Sequence, residues 1–198
     1  MTQLKKWHIT KSRYIVNDRW LKLRADDCLT ADGHKIAPYY VVEHPEWANC
    51  FVIDDQMQVL LVNHYRHGIG EYLPELVSGG IDASDSSPLA GITRELKEEL
   101  GYVGGEVHPI GASYPNSASH TNRVHSFIAF GGGCQQPQQL ENGEDLEIIK
   151  MPFKDFATMI QDPTSGTYQS MHLATIFFAF QFIKKSSLPE LQEIKKLL

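Results

Sequence analysis

The chain has 198 residues, of which 42% are hydrophobic and 21% charged, and a formal net charge of −6. That is enough apolar material for one medium domain with a single sizeable core, and the acidic balance argues against bulk binding to nucleic acid or an anionic membrane. A polyanionic substrate would need locally concentrated cations, from a few Arg and Lys or from bound metal.

In chain order, the start MTQLKKWHITKS carries basic residues with no apolar run behind them, so no signal peptide is expected. Leu21, Leu23 and Ala25 alternate with Lys22, Arg24 and Asp26, which makes one apolar face at strand period. Asp32-Gly33 offers a tight turn into residues 36–43, rich in Tyr and Val, and completes a β-hairpin. Pro45 interrupts this run and a new one begins near Trp47. The expected division is a small N-terminal β region over residues 1–46 and a main domain over residues 47–198. Strands are expected at residues 50–53 and 59–65 around a DDQ turn, followed by the Gly/Pro-punctuated stretch 67–87.

The clearest helix runs from Pro88 to Leu100: Ser87 suits its cap, Pro88 its first position and Gly101 the position past its end. Further strands are expected at residues 107–112, 124–130 and 146–151, and helices at 153–160, about 168–184, and 188–197. The apolar stretch 173–183, interrupted by Gln181, is too short to span a bilayer and reads as a buried helix. Cys28, Cys50 and Cys134 are scattered, without a CxxC pair, and read as reduced, buried thiols. A soluble, cytoplasmic protein of α/β (α+β) class is the expectation.

On the Pro88–Leu100 helix, Leu89, Ile92, Leu96 and Leu100 form one apolar stripe, while Arg94, Glu95, Glu98 and Glu99 sit on the other side. The three carboxylates lie one turn apart and reach a common point. Such a triplet alone is ordinarily a solvated acidic face, since like charges at this spacing cost only a few tenths of a kcal/mol. Gly79-Gly80 nearby changes its meaning, because an exposed glycine loop lets backbone approach phosphate or metal. Carboxylates with a loop carbonyl make an all-oxygen set that suits Mg²⁺ or Mn²⁺ rather than zinc.

The run Arg94-Glu95-Leu96-Lys97-Glu98-Glu99-Leu100-Gly101-Tyr102, after Gly79-Gly80, resembles the signature of the Nudix hydrolases, G-x5-E-x7-R-E-U-x-E-E-x-G-U. The resemblance implies an α/β/α sandwich with a mixed sheet, plus the N-terminal β appendage. It also implies that Glu95, Glu98 and Glu99 face Mg²⁺ and that water attacks a phosphorus of a diphosphate. One position departs: counted from Gly80, Ser86 stands where the family has Glu; counted from Gly79, Asp85 stands there, with one extra residue before Arg94. That acid is expected to pair with Arg94 and support the loop, and Asp85 is the better candidate because charge-assisted bonds to Arg are about twice as strong as neutral ones.

His64-Tyr65-Arg66 and Glu75-Leu76-Val77-Ser78-Gly79 resemble the Q-Y-R and E-L-P-A-G segments of the ADP-ribose pyrophosphatase branch. By that resemblance Arg66 and Glu75 contact substrate, Arg66 at a phosphate, and the Ser78 carbonyl touches metal; a surface salt bridge is the other reading of Arg66. Asn116, Asn122 and Arg123 lie in a polar loop that either lines the substrate pocket or forms a structural turn. His120 and His125 are not expected to hold zinc, lacking a Cys or third His. A Glu from the region of Glu141, Glu144, Asp145 and Glu147 is expected to activate water, with Glu144 preferred. Trp20, Trp47, Tyr39 and Tyr40 either stack on a nucleobase or belong to core or interface.

The function expected from all this is Mg²⁺-dependent hydrolysis of ADP-ribose or a nucleotide sugar to a nucleoside monophosphate and a sugar phosphate. Other Nudix substrates, such as dinucleoside polyphosphates or nucleoside triphosphates, and a non-catalytic nucleotide-sensing module are the alternatives. The branch further implies a homodimer.

Overall fold

The structure, a computed structural model, describes residues 5–140, 143–166 and 168–198. The chain divides into two compact units: one runs up to Pro45 and takes in Tyr114–Arg123, the other comprises Glu46–Ser113 and Val124–Leu198.

The first unit is a three-stranded antiparallel sheet in the order β1 (His8–Asn17), β2 (Lys22–Leu29), β3 (Lys35–Glu43). The β2–β3 hairpin pairs Leu23 with Val42 and Ala25 with Tyr40. Strand β1 has no counterpart in the sequence reading: nine of its ten residues are exposed, so no apolar alternation marks it. Its backbone pairing with β2, from His8↔Leu29 to Asn17↔Lys22, is what makes it a strand. Tyr114–Arg123 joins this unit through a bridge between Val42 and His120, and the Tyr39 hydroxyl donates to the Ala118 carbonyl. Trp7, Ile9, Tyr14, Ile15, Trp20 and Tyr40 of this unit are exposed.

The second unit is built on an eight-stranded mixed sheet. Its strands are β4 (Trp47–Asp54), β5 (Gln58–Arg66), β6 (Glu71–Glu75), β7 (Val77–Gly80), β8 (Tyr102–Val103), β9 (Glu106–Ser113), β10 (Val124–Cys134) and β11 (Leu146–Pro152). The order is β11-β5-β4-β10-β8, with β6 on β5, β7 on β4 and β9 on β10; β4 and β10 run parallel. Alternation along β4 sends side chains to two cores. Ala48, Cys50 and Val52 pack with Ile92, Leu96 and Leu100 of α1 (Pro88–Leu100) on one face. Phe51 and Ile53 pack on the other with Phe153 and Phe156 of α2 (Phe153–Gln161) and Ile176, Ala179 and Ile183 of α3 (Ser170–Lys185). Each of these large side chains contributes about 1.5–3 kcal/mol when fully buried. The mixed α+β sandwich expected from the sequence is therefore the architecture observed.

Helix α1 begins where Ser87 Oγ accepts the Ala90 N–H at 3.2 Å and ends at Gly101, whose φ of 58° is left-handed. A Cβ on Gly101 would lie 1.8 Å from the Gln136 carbonyl oxygen, so glycine is needed here on two counts.

Several expectations are corrected. Leu89 is 41% exposed, because burial of α1 begins only at Gly91. Of the two readings of the acidic triplet, the solvated face does not hold for Glu95 and Glu99, which are buried at 8% and 3% exposure. The expected helix 188–197 is a 3-10 turn, Pro189–Leu191, followed by α4 (Gln192–Lys195), since Pro189 has no N–H to continue a helix begun earlier. Leu173 and Phe177 of α3 are exposed, so that helix buries one face instead of its whole surface. Strands β6 and β7 arise inside the stretch 67–87 because β5 and β4 offer them backbone partners. Cys28 and Cys50 are buried, but Cys134 is only half-buried. No helix among the described residues is long and apolar enough to cross a membrane.

Helix α3 also buries His172, which is 3% exposed and has no partner for Nε2 among the described residues. Burial pushes its pKa down to about 4, against the pull of Glu75 and with that of Arg66. The unfolded chain therefore binds a proton that the folded chain refuses between about pH 6.5 and 4. Stability supported by neutral His172 is full above that window and is lost as pH falls through it, by up to roughly 3 kcal/mol. Urea unfolding of the wild type and His172→Gln at pH 7.5 and 4.5 checks this: the wild type is expected to lose more stability than the variant, and equal losses would reject it.

Candidate active site

Strand β7 and helix α1 bring the signature residues together. A cavity of about 210 Å³ is lined by Ser78, Gly79, Gly80, Asp82, Arg94, Glu95, Glu98 and Glu144. Gly79 lets Glu95 come close: a Cβ there would lie 2.0 Å from Glu95 Oε1 and would displace that side chain. Arg94 organises the acidic cluster: its Nη1 donates to Glu98 Oε2 at 2.8 Å and to Glu95 Oε1 at 3.0 Å, and its Nη2 donates to the Gly80 carbonyl at 3.3 Å.

Glu99 lies deeper. Its Oε2 has no hydrogen-bond partner among the described residues. Burial, then the neighbouring Glu95 and Glu144 carboxylates, push its pKa up to about 9, only partly offset by Arg66. Burial likewise pushes Glu95 up to about 7, with the adjacent Arg94 pulling the other way. Both shifts begin with burial, which strips water from the carboxylates, and neighbouring carboxylates add to it.

An all-oxygen donor set with an orphaned buried carboxylate oxygen and surplus negative charge fits a hard divalent cation. Glu95, Glu98, Glu99 and the Ser78 carbonyl are the groups that would hold it. Among the described residues no three His, Cys, Asp or Glu side chains stand in a ready cation cluster, and the Arg94 bonds to Glu95 and Glu98 occupy those two carboxylates in this conformation.

Asp85 and Ser86 differ sharply. Asp85 accepts from Arg94 Nη2 at 3.3 Å and from the Asp82 backbone N–H at 2.9 Å, whereas Ser86 is exposed. The Arg94 hydrogen bonds hold the Asp85 carboxyl below its ordinary pKa. Asp85→Ala is expected to cost ten- to a hundredfold in kcat/KM, as loss of a group that orients another, and Ser86→Ala less than about twofold. Steady-state rates of the two variants check this, and the opposite ranking would reject the Asp85 register.

The remaining candidates separate. Arg66 forms the ion pair that was the alternative to phosphate binding: its Nε donates to both Glu75 oxygens, at 2.9 and 3.1 Å, yet it is half-buried and lines a second cavity. Glu75 is 2% exposed and also accepts from the Gln169 amide. Burial alone would raise its pKa, but the Arg66 hydrogen bonds and charge outweigh burial and hold it low. Asn116 belongs to the first unit and closes its own turn, its Oδ1 accepting the Ala118 N–H at 3.2 Å and its Nδ2 donating to Ser119 at 2.8 Å. Arg123, in the same unit, is exposed, and Asn122 is buried.

Of the four acidic residues before β11, Glu144 lines the carboxylate cavity. Asp145 accepts from the Tyr72 hydroxyl at 2.9 Å, Glu147 is exposed, and Glu141 lies outside the described residues. Asp82, Gln169 and Asn49 were not singled out in the sequence, although Asn49 is a polar residue in the otherwise apolar run of β4.

Residues 43–170 match the NUDIX domain family, and residues 7–42 match the nucleoside diphosphate sugar hydrolase N-terminal domain. The chain is 32% identical over 107 residues to mouse ADP-sugar pyrophosphatase, covering 52% of this chain and 49% of that protein. It thus spans about half the length of that relative. It is 28% identical over 170 residues to GDP-mannose pyrophosphatase of Klebsiella pneumoniae, covering 78% of this chain and 83% of that one. Among solved structures, an ADP compounds hydrolase superposes with a TM-score of 0.76 at 18% identity, over 93% of this chain and 97% of that chain, which establishes likeness of fold.

Proposed function

This chain belongs to the Nudix family, and on that premise we propose that it hydrolyses the diphosphate linkage of a nucleoside diphosphate joined to a sugar, such as ADP-ribose or another nucleotide sugar. The products are a nucleoside monophosphate and a sugar phosphate. The observation that carries the reading is the gathering of Glu95, Glu98 and Glu144 with the Gly79-Gly80 loop in one cavity, with the buried Glu99, one oxygen unpartnered among the described residues, on the same helix. The names of the mouse and Klebsiella relatives, an ADP-sugar and a GDP-mannose pyrophosphatase, support this substrate class.

In this reading Glu95, Glu98, Glu99 and the Ser78 carbonyl would hold Mg²⁺ or Mn²⁺, which would supply the charge to offset the diphosphate and lower the pKa of water. Glu144 takes the proton from the attacking water, and its position on a loop before β11 lets it complete the geometry when substrate arrives. Arg66 supplies the positive charge on the adjoining side, and Asp85 keeps Arg94 and the glycine loop in place. Asn116 and Arg123 are proposed as further substrate contacts. The exposed aromatic and aliphatic residues of the first unit, Trp7, Tyr14, Ile15 and Trp20 among them, support a homodimer through that region.

A panel of ADP-ribose, ADP-glucose, GDP-mannose, UDP-glucose and diadenosine polyphosphates with Mg²⁺ or Mn²⁺, read by nucleoside monophosphate release, tests the proposal. Turnover of at least one nucleotide sugar in preference to the polyphosphates is expected. No turnover of any nucleotide sugar would sink it.

A further inference from the structure

A second cavity, of about 390 Å³, adjoins the carboxylate site, sharing Ser78, Gly79 and Gly80 with it. Trp47, Asn49, Arg66, Gln169 and Met171 complete its lining. Asn49 is fully buried, and neither Oδ1 nor Nδ2 has a hydrogen-bond partner among the described residues. Folding does not leave an amide unpaired in a core without a reason, because desolvation is not returned.

The strand makes the choice conspicuous. Asn49 lies on the β4 face that continues into Phe51 and Ile53, where an apolar side chain would suffice. Its register neighbour on β10, Ser126, is also buried on that side, but it bonds the Thr175 hydroxyl of α3 at 2.8 Å. Asn49 has no such partner and lines the cavity. Arg66 Nε and Nη2 and the Gln169 amide nitrogen are engaged on Glu75, whereas both ends of the Asn49 amide are open. Trp47 and Met171 add broad apolar surface suited to the face of a ring.

We infer that this cavity receives the neutral ring group at one end of the substrate and that Asn49 reads it, Oδ1 accepting from a donor and Nδ2 donating to the acceptor beside it. The inference rests on the proposed nucleotide-sugar substrate. Several parts of such a molecule carry this adjacent pair: the N6/N7 and N6/N1 edges of adenine, the N1–H/O6 edge of guanine or hypoxanthine, and a vicinal diol of the sugar.

Binding of AMP, IMP and ribose 5-phosphate to the wild type and to Asn49→Leu, measured by calorimetry without turnover, tests it. AMP or IMP binding weakened about ten- to a hundredfold in the variant, with ribose 5-phosphate binding unchanged, places the base in the cavity. A comparable weakening confined to ribose 5-phosphate places the sugar there. Because the unpaired amide supports binding and not folding, the ligand-free variant is expected to melt no lower than the wild type. Asn49→Ala serves if the leucine is not accommodated. Unchanged affinity for AMP, IMP and ribose 5-phosphate, no binding of any of them by the wild type, or a lowered melting temperature in both variants would overturn the inference. Product binding that depends on Asn49 in a protein that hydrolyses no nucleotide sugar would keep the cavity's role and reject the proposed activity alone.

Discussion

Glu99→Gln is expected to lower kcat by about 10²–10³-fold, the scale of removing one preorganised electrostatic group, while leaving the protein at least as stable. Glu99 is 3% exposed and one of its oxygens is unpartnered among the described residues. In the metal-free chain its pKa is about 9, against 4.5 ordinarily. The folded chain therefore holds a proton that the unfolded chain releases. Stability from that proton is fully present below pH 4.5 and is lost as pH rises towards 9, by up to roughly 3 kcal/mol at pH 7. Glutamine has the same shape and no charge, so it removes this cost. It also removes a carboxylate proposed to hold the cation. Initial rates and thermal melts in EDTA check both halves. A variant with near-wild-type turnover rejects the role of Glu99, and one that melts well below the wild type shows the charge to be structural. Glu98→Gln is expected to lose activity similarly with little change in melting, since its side chain is a quarter exposed and held by Arg94.

Chelation is expected to abolish turnover altogether. Glu95, Glu98, Glu144 and Asp82 line the cavity that a diphosphate would enter. Two like charges 4 Å apart repel by about 4 kcal/mol at an effective dielectric of 20, which is about three decades in rate for each close contact. Arg94 is already engaged by Asp85, Glu95 and Glu98, and Arg66 is shared with Glu75, so the two guanidinium groups at the site offset only part of the substrate's charge. A divalent cation would supply the rest. Activity in excess EDTA should fall to background and return with Mg²⁺ or Mn²⁺. In the absence of substrate, metal at about 100 times its Kd should add about 2.7 kcal/mol of stability. Turnover that persists in EDTA, or melting that ignores added metal, would remove the cation from the mechanism.

Local chemistry made much of this protein readable in its sequence. The Pro88–Leu100 helix announced itself through Ser87, Pro88 and Gly101, each suited to its place by backbone geometry alone. The spacing of Glu95, Glu98 and Glu99 needed only the helical period to predict that they share a side. Bond strength favours Asp85 over Ser86 as the partner of Arg94, and Asp85 is the residue found there.

What the sequence could not convey is whatever depends on a partner distant in the chain. Periodicity ranks faces by polarity, so it sets Glu95 and Glu99 on the polar side and says nothing of their depth, whereas packing of α1 against β4 and β7 buries them and thereby raises their pKa values. Strand β1 carries no apolar alternation and exists because β2 lends it hydrogen bonds. The Arg66–Glu75–Gln169 chain joins residues 94 positions apart, and the second cavity combines β4, β5, β7 and residues beside α3. Asn49 was visible as a polar letter in an apolar strand; only the fold shows that Ser126 beside it finds a partner in α3 and that Asn49 does not.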